Sequence, residues 1–261
     1  SLISSGGFLP VNNLEIILNS QTKIIIFSLL MLVSFLSLFF LYNLLIYKKK
    51  GIKFIQEDIY LIAYLMVIIF CFFLFVNKDI NFSIILLSIT SSVSNIGVSL
   101  RSSPDYLSFL FLILIIIGGS FFSTSSGLRF LKLVSLFKFS INEIISNAKP
   151  KNVYINKLLF SEKIMEKSDF YKYFLSILIF IVSLIILSSF ISVSGLSFEN
   201  SFKLSILTLM NTVNSHMTEL NILDFEQMGN FVKYFLILFM IIGRVELLSI
   251  LIIFKKFFLK N

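Results

Sequence analysis

Residues 59–76, IYLIAYLMVIIFCFFLFV, pass without a single charge. A run of this length has one hospitable solvent. The hydrocarbon core of a bilayer takes about 20 consecutive apolar residues as a helix, because every backbone N–H and C=O inside it must be paired within the chain. Comparable runs occupy 24–47, 106–119 continuing through 128–139, 173–193 and 231–254. Only 14% of the residues are charged and 57% are hydrophobic. A soluble protein has about 25% and 45–50%, too polar a balance to match this chain. The expectation is an all-α integral membrane protein. No charged n-region with a small-residue cleavage site opens the chain, so a signal peptide is not indicated. The opening at Ser1 on a Gly-Gly-Phe loop reads as part of something longer. The single cysteine, Cys71, lies in an apolar run. Alone it makes no internal disulfide or metal cluster, and it reads as a buried or lipid-facing thiol.

Two weaker stretches lie between the long runs, NFSIILLSITSSVSN (81–95) and FENSFKLSILTLMN (198–211). Both are too short to span and read as re-entrant half-helices. A unit therefore recurs, made of a spanning helix, a half-helix, a polar loop and a second spanning helix. One copy covers 57–140 and another 169–261. Residues 1–56 read as the end of a preceding copy, and 141–168 as a hydrophilic cytoplasmic connector.

Charge sets the orientation. YKKKGIK (47–53), the C-terminal KKFFLKN, and the stretch 129–172 with Arg129, Lys132, Lys138 and six further lysines are basic. The polar loops are poor in Lys and Arg. The positive-inside rule puts the basic segments in the cytoplasm and the polar loops outside. The net charge of +8 is then a topogenic bias and not a nucleic-acid surface.

Three polar features interrupt the apolar runs. SSVSNIGVSL (91–100) follows the first half-helix. Non-helical backbone at membrane depth is tolerated only inside protein or along a water-filled cavity. A half-helix running inward aims its negative dipole end at the interior, which favours a cation. Loop carbonyls can replace an ion's hydration shell, and Gly97 permits the angles that aim them. Small residues also let membrane helices pack closely, so this loop by itself fits either role. IGGSFFSTSSGLRF (117–130) is the second feature. Gly118, Gly119 and Gly127 bracket Ser123, Thr124, Ser125 and Ser126. An opened helix here makes a candidate gate; a kinked, closely packed helix is the alternative. In MIIGRVELLSILIIF (240–254), the third feature, Arg244 sits mid-run. A guanidinium at the bilayer centre costs about 2.5–3.5 kcal/mol, so it must meet oxygen atoms. Glu246, two positions on, projects elsewhere, which leaves the carbonyls of 120–126. A structural interhelical bridge is the alternative role.

In this order and spacing, the three features resemble the Trk/Ktr/HKT superfamily of potassium transporters, nearest the bacterial Trk-type membrane subunit. The resemblance covers essentially the whole chain. It implies helix–pore-helix–helix repeats around a central cation pore, here two full repeats plus the end of another. It places the ion filter at Ser5, Gly6 and Gly7, at Asn95, Ile96 and Gly97, and at Asn211, Thr212 and Val213. Gating is implied for Gly118, Gly119, Ser123, Thr124, Ser125 and Gly127, with Arg244 as their partner. Two departures stand out. The last filter has Val213 or Ser215 where a glycine is expected, and the intramembrane loop has Phe121, Phe122, Ser125 and Ser126 at glycine positions. His216, the only histidine, reads as a solvated loop residue. The implied function is potassium transport across the bacterial inner membrane, with the ion as substrate and no cofactor or further metal. A homodimer in membrane lipid, with a cytosolic nucleotide-binding regulatory subunit, is implied too. The alternative is a degenerate, non-transporting relative that serves as a membrane scaffold. An intramembrane enzyme has no catalytic cluster to support it.

Overall fold

The computed structural model describes residues 2–6, 14–46, 55–75, 81–100, 105–148, 167–212 and 228–245. Helices dominate. After a 3-10 turn at Leu14–Ile16 come α1 (Gln21–Phe35), α2 (Leu38–Ile46), α3 (Ile55–Phe75), α4 (Phe82–Ser94) and α5 (Asp105–Ile116). Two two-residue strands, β1 (Ile117–Gly118) and β2 (Leu128–Arg129), pair in parallel. Then follow α6 (Phe130–Ala148), α7 (Lys167–Val193), α8 (Phe198–Leu209) and α9 (Asn230–Val245). The architecture is that of an all-α membrane protein, and the short strands serve only to close one loop.

In α3 and α7, Glu57–Leu74 and Asp169–Val193 are long and apolar enough to cross a membrane. Their outer faces stay apolar and open: Met66, Val67, Phe70 and Phe73 on α3, and Ile181, Val182 and Ile185 on α7, are exposed. Soluble monomers rarely display such surfaces, whereas lipid solvates them. Cys71 is exposed on the same helix.

The half-helices α4 and α8 lie inside. α4 packs against α1 and α5, and α8 against α7, α9 and α5. Every residue from Leu87 to Ser94 and from Leu204 to Leu209 is buried. Buried hydroxyls there fold back on their own helix: Ser92 Oγ donates to Ser88 O at 2.8 Å, Ser94 Oγ to Thr90 O at 2.6 Å and Thr208 Oγ1 to Leu204 O at 2.7 Å. Back-bonding of this kind lets Ser and Thr sit in an apolar interior. Between the hydroxyls, Leu204, Leu207 and Leu209 pack on Leu187 and Ile191 of α7, while Ile89 and Val93 pack on Phe35, Leu61 and Phe111.

One expectation is corrected. The run 24–47 reads as a continuous spanning helix, but the structure breaks it between α1 and α2. Leu36 turns extended, with φ −79° and ψ 159°. No Gly or Pro causes the break. Instead, Asp58 of α3 accepts from Ser37 N at 2.8 Å and from Ser37 Oγ at 2.6 Å, and Ser37 Oγ accepts from Phe40 N at 3.0 Å to start α2. An anion placed at the first turn of a helix meets its unpaired N–H groups.

Candidate filter loops and intramembrane segment

Among the described residues the same turn occurs three times. Ser5, Asn95 and Asn211 have φ of 48°, 55° and 58°, in the left-handed region. Each donates its N–H three residues back, to Leu2 O, Ser92 O and Thr208 O. At the ends of α4 and α8 the next residue reaches back five, Ile96 N to Ser91 O at 3.1 Å and Thr212 N to Leu207 O at 2.8 Å. This is the Schellman closure, usually made with glycine and sometimes with asparagine. The two asparagine side chains then tie these turns to the bundle. Asn95 Nδ2 donates to Ser126 O at 2.9 Å, and Asn211 Nδ2 to Met240 O at 3.1 Å.

Beyond the turn, Gly97 has φ 76°. A Cβ at Gly97 would lie 3.3 Å from Thr212 O and 3.4 Å from Thr212 Cα. The backbones of the two loops therefore run side by side, which a larger residue would oppose. Gly6 follows Ser5 and is exposed. Gly7, Val213, Ser215, His216 and Glu246 lie outside the described residues.

Residues 119–126 cross between these turns and the broken α1–α2 helix. Glycines make the crossing possible. Gly127 takes φ 96°, and a Cβ at Gly118 would stand 2.5 Å from Ser126 O. A Cβ at Gly119 would collide with Phe35 O. The freed backbone groups of the two interrupted helices satisfy one another. Ser120 N donates to Phe35 O at 3.2 Å, Ser125 N to Ser34 O at 3.2 Å, and Leu38 N to Phe122 O at 3.3 Å. Thr124 Oγ1 adds bonds to Ile3 O at 2.8 Å and Ser34 O at 3.2 Å, and Ser5 Oγ donates to Thr124 O at 2.8 Å. Within the segment, Gly119 N donates to Ser125 Oγ at 2.9 Å, and the Ser123 and Ser125 hydroxyls share a bond of 2.9 Å. Phe122 turns onto α2, edge-on to Phe39 with centroids 4.8 Å apart.

Two arginines serve the segment. Arg244 donates to Ser5 Oγ at 2.9 Å, Ser4 O at 2.9 Å and Ser126 Oγ at 3.1 Å. It thus reaches oxygen atoms, though mainly at the edge of the segment, and it is itself exposed. Sequence counting assigned Arg129 to the cytoplasmic charges, yet the structure commits it to the segment. Its Nη1 lies 3.1–3.2 Å from Ser120 O, Ser123 O, Ser123 Oγ and Ser125 O. Its place two residues after Gly127 was the available signal. Glu57 was also missed. Fully buried, it accepts from Phe121 N at 3.0 Å. Among the described residues, no group of three His, Cys, Asp or Glu is placed to hold a metal.

Spanning helices, buried half-helices closed by left-handed turns and a segment interrupting an inner helix define a pore-repeat membrane fold. In particular, the chain has the fold of a Trk-type potassium transporter. It is similar to the potassium transporter TrkH from Vibrio parahaemolyticus, at 21% sequence identity and a TM-score of 0.76 over 97% of this chain. The chain spans 56% of that protein's length. No protein-family model matches the sequence, and no curated protein matches it significantly.

Proposed function

We propose that this chain forms the filter and gate of a potassium transporter in the bacterial inner membrane. The observation that carries the proposal is the turn repeated at Ser5, Asn95 and Asn211, set beside a segment that interrupts an inner helix. Three loops would present backbone oxygens to a dehydrated cation: Ser5–Gly7, Asn95–Gly97 and Asn211–Val213. Carbonyl dipoles then replace water at the ion. Segment 118–127 is the gate, and Arg244 fastens its end to the second-repeat loop. A homodimer in lipid and a cytosolic nucleotide-binding regulatory subunit come with the family resemblance. The TrkH fold supports this assignment, as does the pairing of buried polar backbone around segment 119–126.

Gly97→Asp tests the filter. A non-glycine residue in left-handed geometry costs about 1–3 kcal/mol, and this one would also set a carboxylate against the Thr212 carbonyl. Potassium uptake by the full-length protein in a transport-deficient host should fall about tenfold or more, or change its ion preference. Unaltered uptake and preference at equal expression would favour the scaffold alternative.

Orientation has its own test. In a Cys71→Ser background, a cysteine at Ser146, near the end of α6, should react with an impermeant reagent only after permeabilisation. Reaction in intact cells would invert the topology and put the loops on the inner side.

A further inference from the structure

Glu57 and Asp58 open the spanning part of α3 as an acidic pair, and both are fully buried. A buried carboxylate is tolerated when its oxygens accept strong hydrogen bonds. Asp58 finds them for both oxygens, whereas Glu57 finds one for Oε1 and its Oε2 has no partner among the described residues. Asp58 accepts both the backbone N–H and the hydroxyl of Ser37, in the break between α1 and α2. Glu57 accepts the backbone N–H of Phe121, in the intramembrane segment. The break and the segment are themselves joined through Phe35, Ser34 and Leu38. Neighbouring positions on one rigid helix therefore grip both interruptions.

We propose that Glu57 and Asp58 are a clamp that makes the α1–α2 break and segment 119–126 a single moving unit. They are positioning residues: no ion need touch them. Release of the segment then requires the break in the preceding repeat to rearrange with it. The transport consequence rests on the gating role proposed above; the mechanical coupling does not.

A buried reporter separates the two. Ser120 is fully buried, and its hydroxyl has no hydrogen-bond partner among the described residues, so Ser120→Cys in a Cys71→Ser background removes no bond. The rate of its reaction with a water-soluble thiol reagent is measured in the full-length protein in liposomes, alongside cation flux and the thermal midpoint. Asp58→Ala should speed the reaction about tenfold or more, since the charge-assisted bonds that hold Ser37 in the break are lost and the break itself bonds the segment through Ser120 N and Phe35 O. Ser37→Ala, which deletes one of them, should produce a smaller rise. Glu57→Gln combined with Asp58→Ala should give less than the product of the single effects, as expected for residues acting as a unit. If Asp58→Ala does not fold, Ser37→Ala decides alone. An unchanged reaction rate in folded variants overturns the clamp, whatever the flux. A faster reaction with unchanged flux upholds the clamp and overturns the gate.

Discussion

Arg129→Gln should raise basal cation flux per folded molecule about a hundredfold, well beyond the effect of Arg244→Gln. Arg129 Nη1 is surrounded by oxygens from Ser120, Ser123 and Ser125, which include three backbone carbonyls of the interrupted segment. Removing a donor from buried acceptors costs about 1–3 kcal/mol for each one left unpaired. A net loss of about 3 kcal/mol corresponds to about two powers of ten in a closed–open equilibrium. Glutamine is shorter and cannot reach several oxygens at once. Arg244 differs in kind. Arg244 is the more exposed residue, and two of its partners are hydroxyls, of which Ser5 Oγ keeps a bond of its own without it, as donor to Thr124 O or Ser4 O. Its loss should raise flux only about tenfold, because exposure weakens such bonds. Arg129→Lys should rescue partially, keeping the charge and losing the fork. Flux into proteoliposomes, normalised to monodisperse protein, checks the order. A drop in folded protein with no rise in flux per molecule would make Arg129 a structural brace and remove the segment from gating.

Gly243→Ala should abolish most folded protein or lower its thermal midpoint by several degrees. At Gly243, α9 lies so close to the end of α8 that a Cβ would collide with the Leu209 carbonyl oxygen and stand 2.8 Å from the carbon behind it. Both obstacles are backbone, so no rotamer change relieves them, and overpacking of this kind costs about 1–3 kcal/mol or more. Small residues serve this purpose wherever membrane helices cross at close range. The displacement would also pull Met240 O from Asn211 Nδ2 and carry Arg244 away from Ser126, so surviving protein should show altered transport. Gly229→Ala is the control, because nothing lies within 4 Å of its added Cβ. Equal stability of the two variants would mean that close approach of α8 and α9 at Gly243 does not hold the fold together.

Legibility in the sequence followed the range of the interaction. Helices α3 and α7 could be read from their own residues, because length and apolarity are local properties. The half-helices ending at Asn95 and Asn211 could also be read, since short length and terminal polarity are local too. Gly118, Gly119 and Gly127 marked the interrupted helix because a missing side chain is visible in the text. The break at Leu36–Ser37 was not. VSFLSLFF looks like ordinary spanning helix, and the cause of its break is a carboxylate from another helix. Arg129 was misjudged for a related reason: the positive-inside rule counts charges without knowing which way they point. Phe122, at a glycine position of the family pattern, gave no sign in the sequence of its partner, Phe39 of α2.

The exchange of hydrogen bonds between the α1–α2 break and segment 119–126 also constrains how the protein is made. Once the helix is bent, Ser34 O, Phe35 O and Leu38 N are paired by Ser125 N, Ser120 N and Phe122 O, and these are synthesised much later. Until then the cheapest state for residues 24–47 in lipid is an unbroken helix, with every N–H paired to its own fourth-preceding carbonyl. The mature bend is therefore expected to form late in biogenesis. An apolar sequence free of Gly and Pro suits such an order, because the same residues can thread the bilayer as a straight rod before they bend around a neighbour.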